Sequence, residues 1–175
     1  MLTSQETRLQ RITKLTTKQV ELFKEGVAHE TAFGASLDDV LARTVADRLA
    51  LADSFIRMAE RMERSRSDLS RPAIARYYYA MYHAMRAAAF QFHGGDDHEQ
   101  HTVLSVKGVP HDFPSRTIAA NDLKDARALR NEADYDQYPS NQSYFRNIVR
   151  GLGPVAKPFV VEARAYIRAK GNSHA

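Results

Sequence analysis

The third predicted helix carries a polar triplet on one of its faces. Arg76, Tyr79 and His83 are spaced at i, i+3 and i+7, which places them on the same side of a helix. A buried arginine needs an acceptor, and neighbouring tyrosine hydroxyls supply one. A histidine that titrates near neutrality is the usual proton shuttle of an active site. The triplet therefore indicates anion binding with acid–base chemistry or, alternatively, packing residues that are satisfied inside a bundle.

A second polar set lies on the fourth predicted helix. Arg127, Arg130 and Asp134 share one face at i, i+3 and i+7, and Tyr135 closes the segment. Arg130 and Asp134 can form an i,i+4 ion pair, which contributes a few tenths of a kcal/mol on an exposed surface and fixes geometry when buried. Guanidinium groups suit phosphate because they donate two parallel hydrogen bonds.

The acidic loop between these helices contains four histidines: His93, His98, His101 and His111. His98 and His101 are close enough in sequence to share a metal ion, but loop histidines are usually solvated, so no metal and no other cofactor is predicted. The sequence lacks GxxxxGK[ST], GxGxxG, HExxH and GxSxG motifs, which argues against a phosphate-cradling loop and a serine hydrolase. With no cysteine, disulfides and thiolate chemistry are excluded.

The elements that position these residues are helical throughout. Apolar residues recur at helical spacing, and no alternating pattern typical of strands is present. We therefore predict an all-α, antiparallel up-and-down helical bundle, with helices over about 4–27, 36–66, 70–93, 115 or 121 to 133, and 142–170. A short helical turn is predicted around 102–107.

Local signals mark several helix ends. Ser36 and Ser70 are predicted caps for the second and third helices. Pro154 and Pro158 predict a kink or a break in the last helix. Apolar residues surround the third helix, so we expect it either at the centre of the bundle or between the core and a second subunit.

Length and charge narrow the class of protein. The chain has 175 residues and a net charge of +4, with 43 % hydrophobic and 26 % charged residues, which is typical of one folded domain. Residues 137–175 carry 6 basic and 1 acidic side chains. A basic end favours a polyanion such as nucleic acid, although a solvated helix face is an equal alternative. No apolar run is long enough to span a membrane and no signal core is present, so a cytoplasmic protein is expected.

Two segments resemble the HEPN domain family of prokaryotes. Residues 75–84, ARYYYAMYHA, resemble that family's helix S-R-x-Y-Y-A-M-[FY]-H-A, and residues 129–135, LRNEADY, resemble its L-R-x-x-A-D-Y. The resemblance covers about 38–168. It implies a four-helix bundle core, usually dimeric. The expected division is therefore an N-terminal helical extension, an HEPN-like bundle and a disordered tail, at 1–35, 36–170 and 171–175.

The resemblance also implies a set of activities. Many members are metal-independent endoribonucleases, often toxins; others pair with a nucleotidyltransferase, and some bind RNA or nucleotides. Nuclease members carry an arginine followed after four to six residues by a histidine. Arg130 matches that arginine, but Tyr135, Asp136 and Gln137 stand where the histidine would be. Binding is therefore expected ahead of cleavage.

The sequence predicts a homodimeric, HEPN-like protein of a defence or toxin–antitoxin type system that binds RNA or nucleotide in a groove between subunits. The alternatives are an endoribonuclease toxin using the same groove, and a non-catalytic partner subunit of a nucleotidyltransferase in which the motifs are structural. The residues expected to do chemistry are Arg130, Asp134, Tyr135 and His83. Those expected to bind nucleic acid are Arg76, Arg127 and Tyr79.

Overall fold

The chain folds into helices alone, in a computed structural model that describes residues 3–175. The elements are α1 (Ser4–Ile12), α2 (Thr17–Phe33), α3 (Leu37–Glu63), α4 (Ser70–His93), α5 (His101–Val103), α6 (Arg116–Tyr135) and α7 (Gln142–Ala169). A π-helical turn, Leu104–Gly108, continues α5. No strand occurs in the described part of the chain, so the predicted all-α bundle is confirmed. None of these helices is long and apolar enough to cross a bilayer.

The chain divides into two compact units, one ending at Leu41 and the other running from Ala42 to Ala175. The first unit contains two helices, α1 and α2, before the start of α3, where one helix was predicted. The single helix over 4–27 was wrong because Thr16 starts a new one: its hydroxyl accepts from the backbone N–H of Gln19, and the Gln19 side chain accepts from the Thr16 N–H at 2.9 Å. This reciprocal pair satisfies backbone donors that a continuous helix would bond internally.

The second unit is built around α4. Fourteen of the 24 residues of α4 are buried, and the helix contacts both α6 and α7. The largest of the fully buried side chains on it are Tyr77, Tyr78, Ile74, Met81 and Met85. Burying a large apolar side chain stabilises a fold by about 1.5–3 kcal/mol, so α4 supplies much of the driving force. Its central position agrees with the first of the two predicted placements.

The last helix is continuous through both of its prolines. A break into two helices was wrong: α7 runs from Gln142 to Ala169 with Pro154 and Pro158 inside it. Both prolines are exposed, so water can satisfy the carbonyls that lose an internal hydrogen bond. The opposite face of α7, including Leu152 and Phe159, is buried in the core.

The two predicted serine caps have different outcomes. Ser36 is confirmed, since its hydroxyl accepts from the Asp39 N–H at 3.2 Å. Ser70 is instead the first residue of α4 and does not cap it. The carboxylate of Asp68 accepts from both the N–H and the hydroxyl of Ser70, at 3.1 and 2.7 Å. An anion suits this position because the helix N-terminus is positive.

The C-terminal tail is ordered, which differs from the expected disorder of 171–175. Asn172 is only 4 % exposed. Its side-chain amide donates to the carbonyl oxygen of Ala42 and to the Gln91 side chain, each at 3.0 Å. Both partners belong to the second unit, so these bonds fasten the tail to α3 and α4.

Candidate functional site

Arg130 joins α6 to α4 at the predicted site. Its Nη2 donates to the hydroxyl of Tyr79 at 2.9 Å, and its Nη1 donates to the side chain of Asn131 at 3.1 Å. Its Nε lies 2.7 Å from a carboxylate oxygen of Asp134, at an angle that makes the contact an ion pair rather than a hydrogen bond. The predicted Arg130–Asp134 pair is therefore present. Three contacts hold the guanidinium in one orientation.

Tyr135 stands beside this arginine at the end of α6. Its side chain is 72 % exposed, and its ring centre lies 5.4 Å from the Arg130 guanidinium carbon. The Tyr79 ring lies 5.5 Å from the same carbon. Cation–π attraction to both rings stabilises the guanidinium. The exposed ring of Tyr135 leaves a flat apolar surface facing solvent.

Two other arginines at the site have no anion. Among the atoms that the structure describes, neither Arg76 nor Arg127 has an ion-pair or hydrogen-bond partner. Arg76 lies over the ring of Phe55, 5.7 Å from its centre, and its Nε is buried without a partner. Both side chains are half-buried. A partly desolvated cation without a counter-charge is costly, so this arrangement favours an anion supplied from outside the chain.

The structure also brings His101 to the site, although sequence reasoning considered it only as a metal ligand. Its Nδ1 shares a hydrogen bond of 2.5 Å with the hydroxyl of Tyr78, and its ring centre lies 4.2 Å from that of Tyr82. Burial lowers the pKa of His101, and the positive charges of Arg130 and Arg127 lower it further. The imidazole is therefore neutral at pH 7 and is able to accept a proton.

His83 follows Tyr79 by one turn of α4, and its surroundings differ from those of His101. Its ring stacks on Phe55, with centres 5.4 Å apart and planes 4° from parallel. Burial lowers the pKa of His83 to about 4, with a further contribution from the charges of Arg48 and Arg86. With this pKa the imidazole of His83 is neutral at pH 7. The proton-shuttle role that the sequence predicts for His83 stays a prediction.

A group of ion pairs fixes the loop that carries His101. Arg86 on α4 and Arg48 on α3 both bind the carboxylate of Asp96, and Arg86 also reaches Glu99 at 3.0 Å. The hydrogen bond from Arg86 holds the pKa of Asp96 below its usual range, so the carboxylate stays charged. These ion pairs hold the start of α5 against α4. No sequence signal predicted it, because the partners lie 10 and 48 residues apart.

The remaining loop histidines do not form a metal-binding group. His93 and His98 stack with ring centres 4.2 Å apart, whereas His111 packs on Phe92. Within the described residues, no three histidine, aspartate or glutamate side chains gather as a metal site would need.

The site therefore consists of one set of residues that we call the arginine–tyrosine cluster: Arg76, Tyr79, His101, Arg127, Arg130 and Tyr135. Asp134 pairs with Arg130, and His83 stacks on Phe55. Comparison with known proteins gave no match, since no family model, no curated protein and no solved structure matches this chain. The chemistry of the cluster must be inferred from its own residues. Cations interleaved with aromatic rings suit a ligand that carries both phosphates and bases.

Proposed function

We propose that the chain is an HEPN-like RNA- or nucleotide-binding protein of a prokaryotic defence or toxin–antitoxin type system. The observation that supports binding most strongly is the pair of guanidinium groups, Arg76 and Arg127, that lack an anion within the described chain. Arginine binds phosphate through two parallel hydrogen bonds, and each such contact is stronger where water is partly excluded. A phosphate would supply the missing charge.

The aromatic residues of the cluster extend this argument to the bases. Tyr135 offers an exposed ring next to the Arg130 guanidinium, and the ring of Tyr79 lies at a similar distance from the same group. Stacking of a base on an aromatic side chain contributes about 1–3 kcal/mol in single-stranded nucleic acid complexes. Single-stranded RNA presents unstacked bases beside its phosphates, so it is the ligand class that uses both parts of the cluster.

A gel-shift experiment in EDTA tests the proposal. Labelled total RNA is incubated with the full-length chain, with Arg127→Gln and with Arg57→Gln. The last is a matched control, because Arg57 is an exposed arginine of α3 outside the cluster. We expect the shift to weaken in Arg127→Gln and to persist in Arg57→Gln. An unchanged shift in both variants would contradict the proposal.

His101 favours a second candidate, a metal-independent endoribonuclease. A neutral imidazole beside Arg130 and Arg127 could accept the proton of an RNA 2′-hydroxyl. The 2′-oxygen would then attack the adjacent phosphorus as the bond to the 5′-oxygen breaks. The 5′-oxygen would take a proton from water, giving a 2′,3′-cyclic phosphate and a 5′-hydroxyl. The arginines would stabilise the charge that develops on the phosphate oxygens.

This candidate is distinguished from binding alone by His101→Ala. We expect wild-type cleavage in EDTA to be lost in that variant while the RNA shift remains. A wild-type protein that shifts RNA without cutting it would leave binding as the function. Cleavage that survives in His101→Ala would exclude this histidine from the reaction.

A further inference from the structure

The helices α1 and α2 expose their apolar side chains. Neither helix contains a buried residue. Ile12 on α1 is 59 % exposed, and Phe23 and Val27 on α2 are each 63 % exposed. Most of the stability of a helix in a protein comes from packing its apolar face. The apolar faces of α1 and α2 therefore lack the packing partner that would stabilise them.

The exposed side chains form one surface. A groove of about 450 Å³ is lined by Ile12, Leu15, Val20, Phe23, Lys24 and Val27. We call it the hairpin groove. Val20, Phe23 and Val27 recur at i, i+3 and i+7, which makes them one stripe along α2. Only one of the six lining residues is charged, so the groove is suited to an apolar occupant.

We propose that the hairpin groove docks on the same groove of a second copy of this chain. The end of α1, the connection after it and α2 contribute apolar side chains to this one surface. An apolar face of a helical layer is stable only when a second layer covers it. A second copy supplies an identical layer. Two-fold pairing then buries both faces at once and gives a four-helix arrangement of α1 and α2 from each protomer.

The size of the surface fits a dimer. Five apolar side chains line the groove, and four of them, Ile12, Val20, Phe23 and Val27, each expose 37–63 % of the residue. At roughly 100 Å² for each of the five, about 500 Å² per copy and about 1,000 Å² per pair would be covered, which reaches the size expected of a biological interface. The occupant therefore needs no contribution from another protein.

The charges of this unit also permit self-association. Residues 1–41 contain 6 acidic and 5 basic side chains, so two copies do not repel each other through net charge. Residues 137–175, with 6 basic and 1 acidic, would repel their own copy. The hairpin groove is separate from the arginine–tyrosine cluster in sequence, and the inference does not depend on RNA binding.

The test is the mass of the full-length chain by light scattering over a range of concentrations. We expect Phe23→Glu to halve the mass of the wild-type assembly, and Val27→Glu to do the same. The matched control is Leu22→Glu. It makes the same change at a residue of α2 that is 55 % exposed but does not line the groove. This control should keep the wild-type mass, and circular dichroism should show unchanged helicity in all three variants.

Equal masses in wild type and both groove variants would overturn the inference. So would a control that loses mass as Phe23→Glu does. Arg127→Gln separates this result from the proposed function, because it should lose RNA affinity and keep the wild-type mass. A loss of RNA binding therefore says nothing about dimerisation through the hairpin groove. A halved mass in Phe23→Glu supports dimerisation whether or not the protein binds RNA.

Discussion

The hydroxyl of Tyr78 and the Nδ1 of His101 lie 2.5 Å apart, and this hydrogen bond ties the start of α5 to the centre of the bundle. Tyr78 is 1 % exposed, so its position is fixed by the core. His101 is thereby held near Arg127 and Arg130, although it follows a loop of irregular structure. The same loop is fastened a second time by Arg86 and Asp96.

Tyr78→Phe should lower the free energy of unfolding by about 1 kcal/mol, because it removes one hydrogen bond while keeping the buried ring. Urea denaturation followed by circular dichroism measures the change. Tyr135→Phe is the control: that hydroxyl belongs to a side chain that is 72 % exposed, so its loss should change stability by less than about 0.5 kcal/mol. Equal effects of the two substitutions would contradict the role given to Tyr78.

Gly108, at the end of the π-helical turn, should not tolerate a side chain. A Cβ there would lie 2.7 Å from Cδ1 of Leu104 and 2.9 Å from Cβ of His98. Gly108→Ala should therefore destabilise the protein by about 1–3 kcal/mol through overpacking. Gly151→Ala is the matched control, since nothing lies within 4 Å of its Cβ position in the exposed face of α7.

The control, Gly151→Ala, should change the stability in the opposite direction. Alanine in a helix interior is favoured over glycine by up to about 1 kcal/mol, so Gly151→Ala should raise the melting temperature. If Gly108→Ala proved as stable as wild type, the packing of the π-helical turn against His98 would be wrong.

Much of the fold could be predicted because helical periodicity is a local signal. The stripes of α3, α4 and α7 follow from apolar spacing, and the Arg130–Asp134 pair follows from i,i+4 geometry. The break before α2 is also encoded locally, in the Thr16–Gln19 capping pair. The effect of the prolines on α7 could not be predicted, because a helix tolerates Pro154 only when that face is exposed to solvent. Which face is exposed depends on packing.

The site was harder to predict than the fold. Residues on one helix face could be grouped from spacing, as Arg76, Tyr79 and His83 were. His101 could not, because its place depends on the bonds from Arg86 to Asp96 and from Tyr78 to the imidazole, which connect distant parts of the chain. The sequence also could not predict that Arg76 and Arg127 lack an anionic partner, because the neighbours of a side chain are known only from the fold.

The protein should lose stability as pH falls from about 6.5 to about 4. The pKa of His83 is about 4 in the folded chain and near 6.5 when unfolded. Between these values the unfolded chain binds a proton that the folded chain does not, so acid favours unfolding. Above pH 6.5 this contribution is fully present. The lowered pKa of His101 acts in the same direction.

His83→Phe should make this pH dependence shallower, because phenylalanine can keep the stacking on Phe55 without titrating. Urea midpoints at pH 7, 6 and 5 measure the slopes. Groups that remain, including His101, should leave part of the slope in the variant. Identical slopes in the two proteins would show that His83 is solvated and titrates normally.

The most direct test of RNA binding at the arginine–tyrosine cluster is fluorescence anisotropy with a labelled single-stranded RNA in EDTA at several salt concentrations. We expect Arg127→Gln to weaken binding about tenfold and to lower the slope of log affinity against log salt by about 0.7, the value for one lost phosphate contact on a single strand. Arg57→Gln should match wild type. If Arg127→Gln and wild type bound with the same affinity and slope, the cluster would not be the RNA site.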